Sequence, residues 1–267
     1  MTFLESSMQN ALIGHTGFVG TTLKQQTAFA ALFNSSNVHE IGQSAFDTVI
    51  CSAAPAQKWI ANQQPEADLE NLERLMSHLA TLRCKQLILI STVDVFPNPV
   101  GVDERSAIQE DDLQPYGRHR RILEKFVEAN FQNHLIVRLP GLIGPGLRKN
   151  AVFDLHNDNN VDAIDSRGSF QFYPMVNLYS DLQQAQQAGI RLLHLTSTPI
   201  NVATIAESVF DRPFSNELSR PPVSYDFRSV HPLGSTRNPG YQYDQRDILL
   251  AMRCYRQSEP RTRSIHS

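Results

Sequence analysis

Two rhythms of apolar positions alternate along the first half of the chain. Short, mainly apolar runs at residues 10–13, 46–51, 86–90 and 134–139 have the length of buried strands and end in glycine, proline or small polar residues. Between them lie segments with helical spacing. Residues 65–82 carry Leu69, Leu72, Leu75, Met76 and Leu79 at three- and four-residue intervals behind Pro65, a position where proline costs a helix least. Residues 18–29 are proline-free and, after Gly20, glycine-free, and residues 116–131 read as a basic amphipathic helix. Strands alternating with helices predict a parallel sheet covered on both faces. The stretch 34–46 is shorter than the dozen or more residues that a full crossover helix usually needs, so the early sheet is expected to be abbreviated.

After Pro140 the texture changes. Proline and glycine cluster to Gly146, and polar residues then run to Gly168. A strand is expected at 170–173, a helix at 178–188, a late strand at 191–195 and a helix at 201–210 with Asn201 as its N-cap. The region from residue 213 on reads as loop-rich, with a last helix at 244–255.

Composition narrows the possibilities. The 267 residues are 41% hydrophobic and 8% aromatic, enough to build a core and too much for wholesale disorder. Lys plus Arg number 24 against 27 acids, a formal net charge of −3, so no basic field invites nucleic acid or an anionic membrane surface. Cys51, Cys84 and Cys254 lack metal-ligand spacing, and no metal site is expected; two lie in or beside apolar runs and read as buried thiols. No basic region followed by an apolar stretch opens the sequence, and no run approaches membrane-spanning length. The expectation is a cytoplasmic protein whose partner is a small molecule, with a homodimer left open.

The strongest chemical signal is Gly14-His15-Thr16-Gly17-Phe18-Val19-Gly20. Gly14 permits a tight turn out of the first strand, Gly17 lets backbone amides approach a phosphate, and Gly20 lets the following helix lie close. A helix N-terminus favours the pyrophosphate charge, and the strand–loop–helix context is the one such a motif requires. Gly14, Thr16, Gly17, Phe18, Val19 and Gly20 are therefore assigned to NAD or NADP. Twenty residues past Gly14 stands Asn34, where an acid often meets the adenosine ribose. Asn34 is a candidate for that contact, and an ordinary loop role is nearly its equal. With no acid and no neighbouring arginine, the choice between NAD and NADP stays open.

Further motifs follow in order: Cys51-Ser52-Ala53-Ala54, Ser91-Thr92-Val93-Asp94-Val95-Phe96, Tyr116-Gly117-Arg118-His119-Arg120, and Arg138 to Gly146. Together with the glycine loop they resemble the extended short-chain dehydrogenase/reductases, the NAD-dependent epimerase/dehydratase group. Within it the abbreviated sheet and the phenylalanine and proline of the Thr92 segment look most like the dTDP-4-dehydrorhamnose reductase branch. The resemblance covers about the first 150 residues, and more weakly 170–210. It implies a Rossmann-type doubly wound parallel sheet with a small C-terminal substrate lobe. Residues 1–147, with 175–198 returning, form the dinucleotide-binding part; 148–174 and 199–267 form the lobe. It further implies Ala53, Ala54, Ser91 and Pro140 at the cofactor, and Tyr116, Thr92 and Arg120 as the catalytic set.

The residues make chemical sense of that set. A phenol ionises near pH 10 and needs a nearby cation to exchange a proton at neutral pH; a cation four residues on lies on the same helical face. On this reading Tyr116 titrates below its free value. Thr92 would hold the substrate oxygen. The departure is Arg120, where the family has lysine: arginine is larger, planar and never deprotonated. The plain alternative is that Tyr116 starts a helix whose Arg118, His119, Arg120 and Arg121 form a solvated face. Lone histidines at His15 and His119 read as backbone or surface residues. Arg148-Lys149-Asn150 is equally a surface loop or a contact for an anionic substrate, and Trp59 and Phe153 read as packing residues. The leading function is an NAD(P)-dependent oxidoreductase or epimerase acting at a carbinol or ketone carbon of a sugar-like substrate. The rival is a binding protein that keeps the dinucleotide and has lost turnover.

Overall fold

The computed structural model describes residues 9–231, 233 and 238–261, which fall into two compact units. The first takes its described residues from 1–97, 108–138 and 185–193, and the second from 98–107, 139–184 and 194–267.

Strand β1 (Ala11–Ile13) leads through the glycine loop into α1 (Phe18–Gln26), then β2 (Ala31–Phe33) and β3 (Ala45–Cys51). Helices α2 (Lys58–Gln63) and α3 (Pro65–Leu79) precede β4 (Arg83–Thr92), and α4 (Pro115–Asn130) follows. With the strands His134–Leu139 and Leu192–His194 they build a six-stranded parallel sheet. Its order is Leu192–His194, His134–Leu139, β4, β3, β1, β2. The chain grows outward from β1 first to one side and then to the other, so β1 and β3 flank the switch point where such sheets bind ligands.

Register carries the site. Ile13 pairs with both Phe33 and Cys51, and Cys51 with Leu89, so these strands end level. β4 runs three residues further, to Thr92. The core beneath joins Ile13, Val49, Cys51, Leu87 and Leu89 of the strands to Leu72, Leu75 and Leu79 of α3 and to Leu123 and Val127 of α4. Burying each such leucine fully contributes about 2 kcal/mol. Cys51 lies in this core with its thiol pushed up to about 11 by desolvation; Cys84 is half-buried and Cys254 exposed.

Two differences from the sequence expectation have physical reasons. α1 stops at Gln26 because Thr27 turns extended, which frees Ala31–Phe33 for an edge strand too short to show alternation. Between β2 and β3, where no full crossover helix is expected, the chain makes a 3₁₀ turn, Val38–Gln43. In the second unit the expected strand 170–173 is two strands in separate pairs: Ser169–Phe170 with Ile200–Asn201, and Phe172–Pro174 with Gly141–Ile143. Gln171 marks the break, its buried amide donating to Thr196 Oγ1 (2.8 Å), the Ser197 carbonyl (2.6 Å) and the Phe227 carbonyl (2.8 Å).

The rest of the second unit includes helices Ala151–Asn157, Val202–Phe210 and Gln245–Ser258. Asn201 caps the middle one through the Ala203 amide (2.9 Å), as expected. Asp181 accepts from the hydroxyls of Tyr173 (2.6 Å) and Tyr243 (2.7 Å). Among the described residues no helix is long and apolar enough to cross a membrane.

Candidate functional site

The glycine loop lies at the carboxyl end of β1. Gly14 sits at φ +87°, and a Cβ there would come within 2.7 Å of the Ser52 backbone, so only glycine lets the loop pass the end of β3. Gly20 is equally constrained, its Cβ position lying 2.2 Å from the Gly14 carbonyl oxygen. Gly17 differs. It is the N-cap of α1 with ordinary extended backbone, and a Cβ would meet only the Gly14 oxygen, at 3.6 Å. Among the described residues no side chain caps the start of α1, which leaves first-turn amides for an anion. His15 Nδ1 is buried without a hydrogen-bond partner among the described residues. An open cradle, uncapped amides and an unpartnered imidazole nitrogen fit the diphosphate of a dinucleotide. Ala53 and Ala54 follow β3 and pack against the core as half-buried residues.

Thr92 ends β4 and caps the 3₁₀ turn Val93–Val95, its oxygen accepting from the Asp94 amide at 3.2 Å. α4 starts with Pro115 in its first turn, and the Tyr116 amide donates to Asn62 Oδ1 at 2.9 Å. Gly117 lets α4 approach the Thr92 turn closely: a Cβ there would fall 2.0 Å from the Asp94 carbonyl oxygen. The Tyr116 side chain is 8% exposed, and the Thr92 side chain is near enough to its hydroxyl to favour the phenolate. Thr92 and Tyr116 are thus brought together.

Arg120 joins them in an unexpected way. It is 2% exposed, with its guanidinium carbon 4.1 Å from the centroid of the Tyr116 ring. Nη1 donates to Asp68 Oδ2 at 2.5 Å and Nη2 to the Pro55 carbonyl, while Nε has no hydrogen-bond partner among the described residues. The same Asp68 oxygen binds His119 Nδ1 at 2.8 Å. Arg120 and His119 are therefore not on a solvated face. The expectation that Tyr116 titrates below its free value is corrected here: burial raises it, outweighing the Arg120 charge. Asp94 also raises it, while Thr92 and Lys58 lower it.

Other expected residues sit differently. The Ser91 hydroxyl donates inward to Glu124 Oε1 at 2.6 Å; Glu124 is fully buried and held bidentately by Arg138 Nε (2.9 Å) and Nη2 (2.7 Å). Asn34 closes an Asx turn, its Oδ1 accepting from the Ser36 amide (2.8 Å) and hydroxyl (2.6 Å). Pro140 follows the strand His134–Leu139 and belongs to the second unit. Trp59 is 62% exposed, not packed.

Sequence reasoning missed Asp68, Asn62, Lys58 and Asp94. Asp68 had a signal: it is in step with Leu72, Leu75 and Leu79 on the buried face of α3, and a carboxylate on an apolar stripe calls for a partner. Lys58 and Asn62 had none, because α2 is six residues with one buried side chain. Lys58 Nζ bonds to Asp94 Oδ1 at 2.7 Å.

The family model described as NAD dependent epimerase/dehydratase family matches residues 24–159. A search of curated protein sequences finds no match to this chain. Among solved structures, a dTDP-4-dehydrorhamnose reductase from Yersinia enterocolitica is similar, with TM-score 0.68 and 16% identity over 93% of this chain and 98% of that one. So is MoeE5 in complex with UDP-glucuronic acid and NAD, with TM-score 0.69 and 16% identity over 94% of this chain and 100% of that one. RMD from Pseudomonas aeruginosa, complexed with NADPH, gives 0.68 and 16% over 94% and 100%. At these identities the likeness is one of fold.

Proposed function

The chain belongs to the NAD dependent epimerase/dehydratase family, and from that premise we propose that it is an NAD(P)-dependent oxidoreductase or epimerase acting at a carbinol or ketone carbon of a nucleotide sugar. The observation that carries this reading is the meeting of Thr92 and Tyr116 at the carboxyl edge of the sheet, on the same edge as an open phosphate cradle. Structural neighbours bound to NAD, NADPH and UDP-glucuronic acid support the cofactor and the substrate class.

Gly14, Gly17 and the first-turn amides of α1 would hold the diphosphate, with His15 Nδ1 beside them. When bound, the nicotinamide supplies or accepts a hydride. Thr92 holds the substrate oxygen against Tyr116. The phenol, kept neutral by burial, donates its proton to that oxygen in reduction; in oxidation the phenolate takes it back. Neutral pH then favours the reductive direction, and the oxidative rate climbs with pH as phenolate forms.

The second reading, a dinucleotide-binding protein without turnover, draws on the commitment of Arg120 to Asp68 and the Pro55 carbonyl. One experiment separates the two. NADH and NADPH are titrated into the protein, then their oxidation is followed with a panel of UDP- and dTDP-linked keto sugars. Turnover abolished by Tyr116→Phe, with cofactor affinity retained, supports the enzyme. Binding without turnover on any sugar supports the second reading, and no binding of either cofactor refutes both.

A further inference from the structure

Helices Val202–Phe210 and Gln245–Ser258 of the second unit bound an open cleft of about 600 Å³, a volume that suits a small molecule. The glycine loop, Thr92 and Tyr116 take no part in its lining. Helix Gln245–Ser258 contributes Arg246, Leu249 and Arg253. At steps of three and four residues these form one stripe, a leucine between two arginines. Helix Val202–Phe210 contributes Thr204 and Ser208, also four residues apart, and Thr198 lies on the segment that precedes it.

The polar groups of this lining are short of partners. Thr198 Oγ1 is buried with no hydrogen-bond partner among the described residues. Among those residues the Arg246 guanidinium has none either. Arg253 Nε donates to the Ser208 carbonyl at 3.1 Å, which ties the fork to the facing helix, while its Nη groups meet no acceptor among the described residues. Elsewhere in the unit, by contrast, Arg212 and Arg256 each pair with a carboxylate at 2.6 Å, Asp158 and Asp211 respectively. The acid that lines the cleft, Asp244, turns Oδ1 to the first-turn amides of Arg246 (2.8 Å) and Asp247 (3.1 Å) as a helix cap. Two guanidiniums without a counter-charge, a set of hydroxyls and an apolar side chain thus face one cleft.

We infer that this cleft binds a small ring compound carrying two phosphoryl groups, a nucleoside diphosphate or a sugar bisphosphate, with its oxygens on Arg246 and Arg253 and its ring against Leu249. The planar fork of arginine presents paired N–H donors that match phosphate oxygens. Seven residues separate the two arginines, roughly 10 Å along the helix axis, so a ligand with two phosphoryl groups can engage both forks and a single phosphate cannot. The Thr198, Thr204 and Ser208 hydroxyls supply further donors. Because neither Thr92 nor Tyr116 lines the cleft, binding here and turnover at Tyr116 can each fail alone.

The test is calorimetric titration of the full chain carrying Gly17→Val, which removes dinucleotide binding at the glycine loop. The probes are UDP, glucose bisphosphate, UMP and pyrophosphate. UDP or glucose bisphosphate should bind with a Kd below about 1 mM, and the one that does identifies the ligand as nucleotide or sugar. UMP should bind at least about tenfold more weakly, and rising salt should weaken every affinity. Arg246→Gln and Arg253→Gln should each lower the affinity about tenfold or more, the size of a charge-assisted hydrogen bond. Thr198→Val should lower it roughly two- to fivefold. The Arg246 side chain bonds to nothing else among the described residues, so Arg246→Gln should keep the urea midpoint and report on binding alone. Four results would overturn the inference: no binding of any probe, binding that survives both arginine substitutions, UMP as tight as UDP, or pyrophosphate as tight as either ring compound.

Discussion

At the residue scale, the three loop glycines should separate cleanly by substitution. Gly17→Val adds a side chain where only one atom lies within contact distance, so folding should be unaffected while NADH and NADPH binding is lost. Gly20→Ala forces a carbon to 2.2 Å from a carbonyl oxygen and should destabilise by about 1–3 kcal/mol. Urea unfolding and cofactor fluorescence titration, run side by side, read the two effects. Equal loss of stability in both variants would mean the cradle is structural only. Arg120 offers the second residue-scale test. Lysine has one donating nitrogen where the guanidinium bridges Asp68 and the Pro55 carbonyl at once, so Arg120→Lys should cost about 1–3 kcal/mol from the acceptor left unmet. Arg120→Met leaves the buried Asp68 with His119 alone and should cost about 3–5 kcal/mol. A Lys variant as stable as the parent would show that the clamp is dispensable.

At the element scale, what places the site is how closely α4 meets the Thr92 turn. Gly117→Ala would set a carbon 2.0 Å from the Asp94 oxygen, so α4 must shift and Tyr116 with it. Sugar turnover should fall at least tenfold, with cofactor affinity held, because a displacement of this kind misaligns the reacting groups; unchanged turnover would show that the approach is slack. The central elements were legible in the sequence because long apolar periods survive tertiary packing: α3, α4 and the strands ending at Ile13, Cys51 and Leu139 all carry them. β2 and α2 were not legible. β2 is a three-residue edge strand with one buried side chain, and α2 is fixed by contacts to Tyr116 and Asp94 rather than by an apolar face. For the same reason the sequence yielded Tyr116 and Thr92, which sit in local motifs, and missed Lys58 and Asp68, whose partners lie 36 and 52 residues away. Ser91 adds a partner that its local motif did not show. Its place beside Thr92 suggested the cofactor, yet the hydroxyl satisfies a buried carboxylate that the periodicity of α4 had hidden among its apolar positions.

At the scale of the whole molecule, two of the sets of titrating groups that the fold perturbs have opposite pH windows. Asp47, Asp103 and Glu110 are held below the usual carboxylate range by their Lys or Arg partners. Such lowered groups contribute stability that is present above their unfolded value and lost on acidification. Being surface pairs, they contribute little. The phenols form the stronger set. Burial raises Tyr116 in the first unit and Tyr173 and Tyr243 in the second, with Asp181 raising the last two further. Tyr241 and Tyr255 are also pushed up, each to about 12. A group whose folded pKa exceeds its unfolded one supports the fold fully below the unfolded value and loses that support as pH rises past it. Unfolded tyrosine ionises near pH 10. Stability should therefore start to fall above about pH 8.5, where the raised thiols Cys51 and Cys84 ionise in the unfolded chain, and fall more steeply above about pH 10, each buried phenol adding up to about 1.4 kcal/mol per pH unit to the slope. Urea midpoints measured from pH 7 to pH 11 check the course. Tyr116→Phe and Tyr173→Phe should each flatten the alkaline limb, because phenylalanine has no proton to lose, without altering the slope at neutral pH. If the limb keeps its steepness in both, these phenols are not held neutral by the fold, and Tyr116 loses the property that makes it a proton donor at neutral pH.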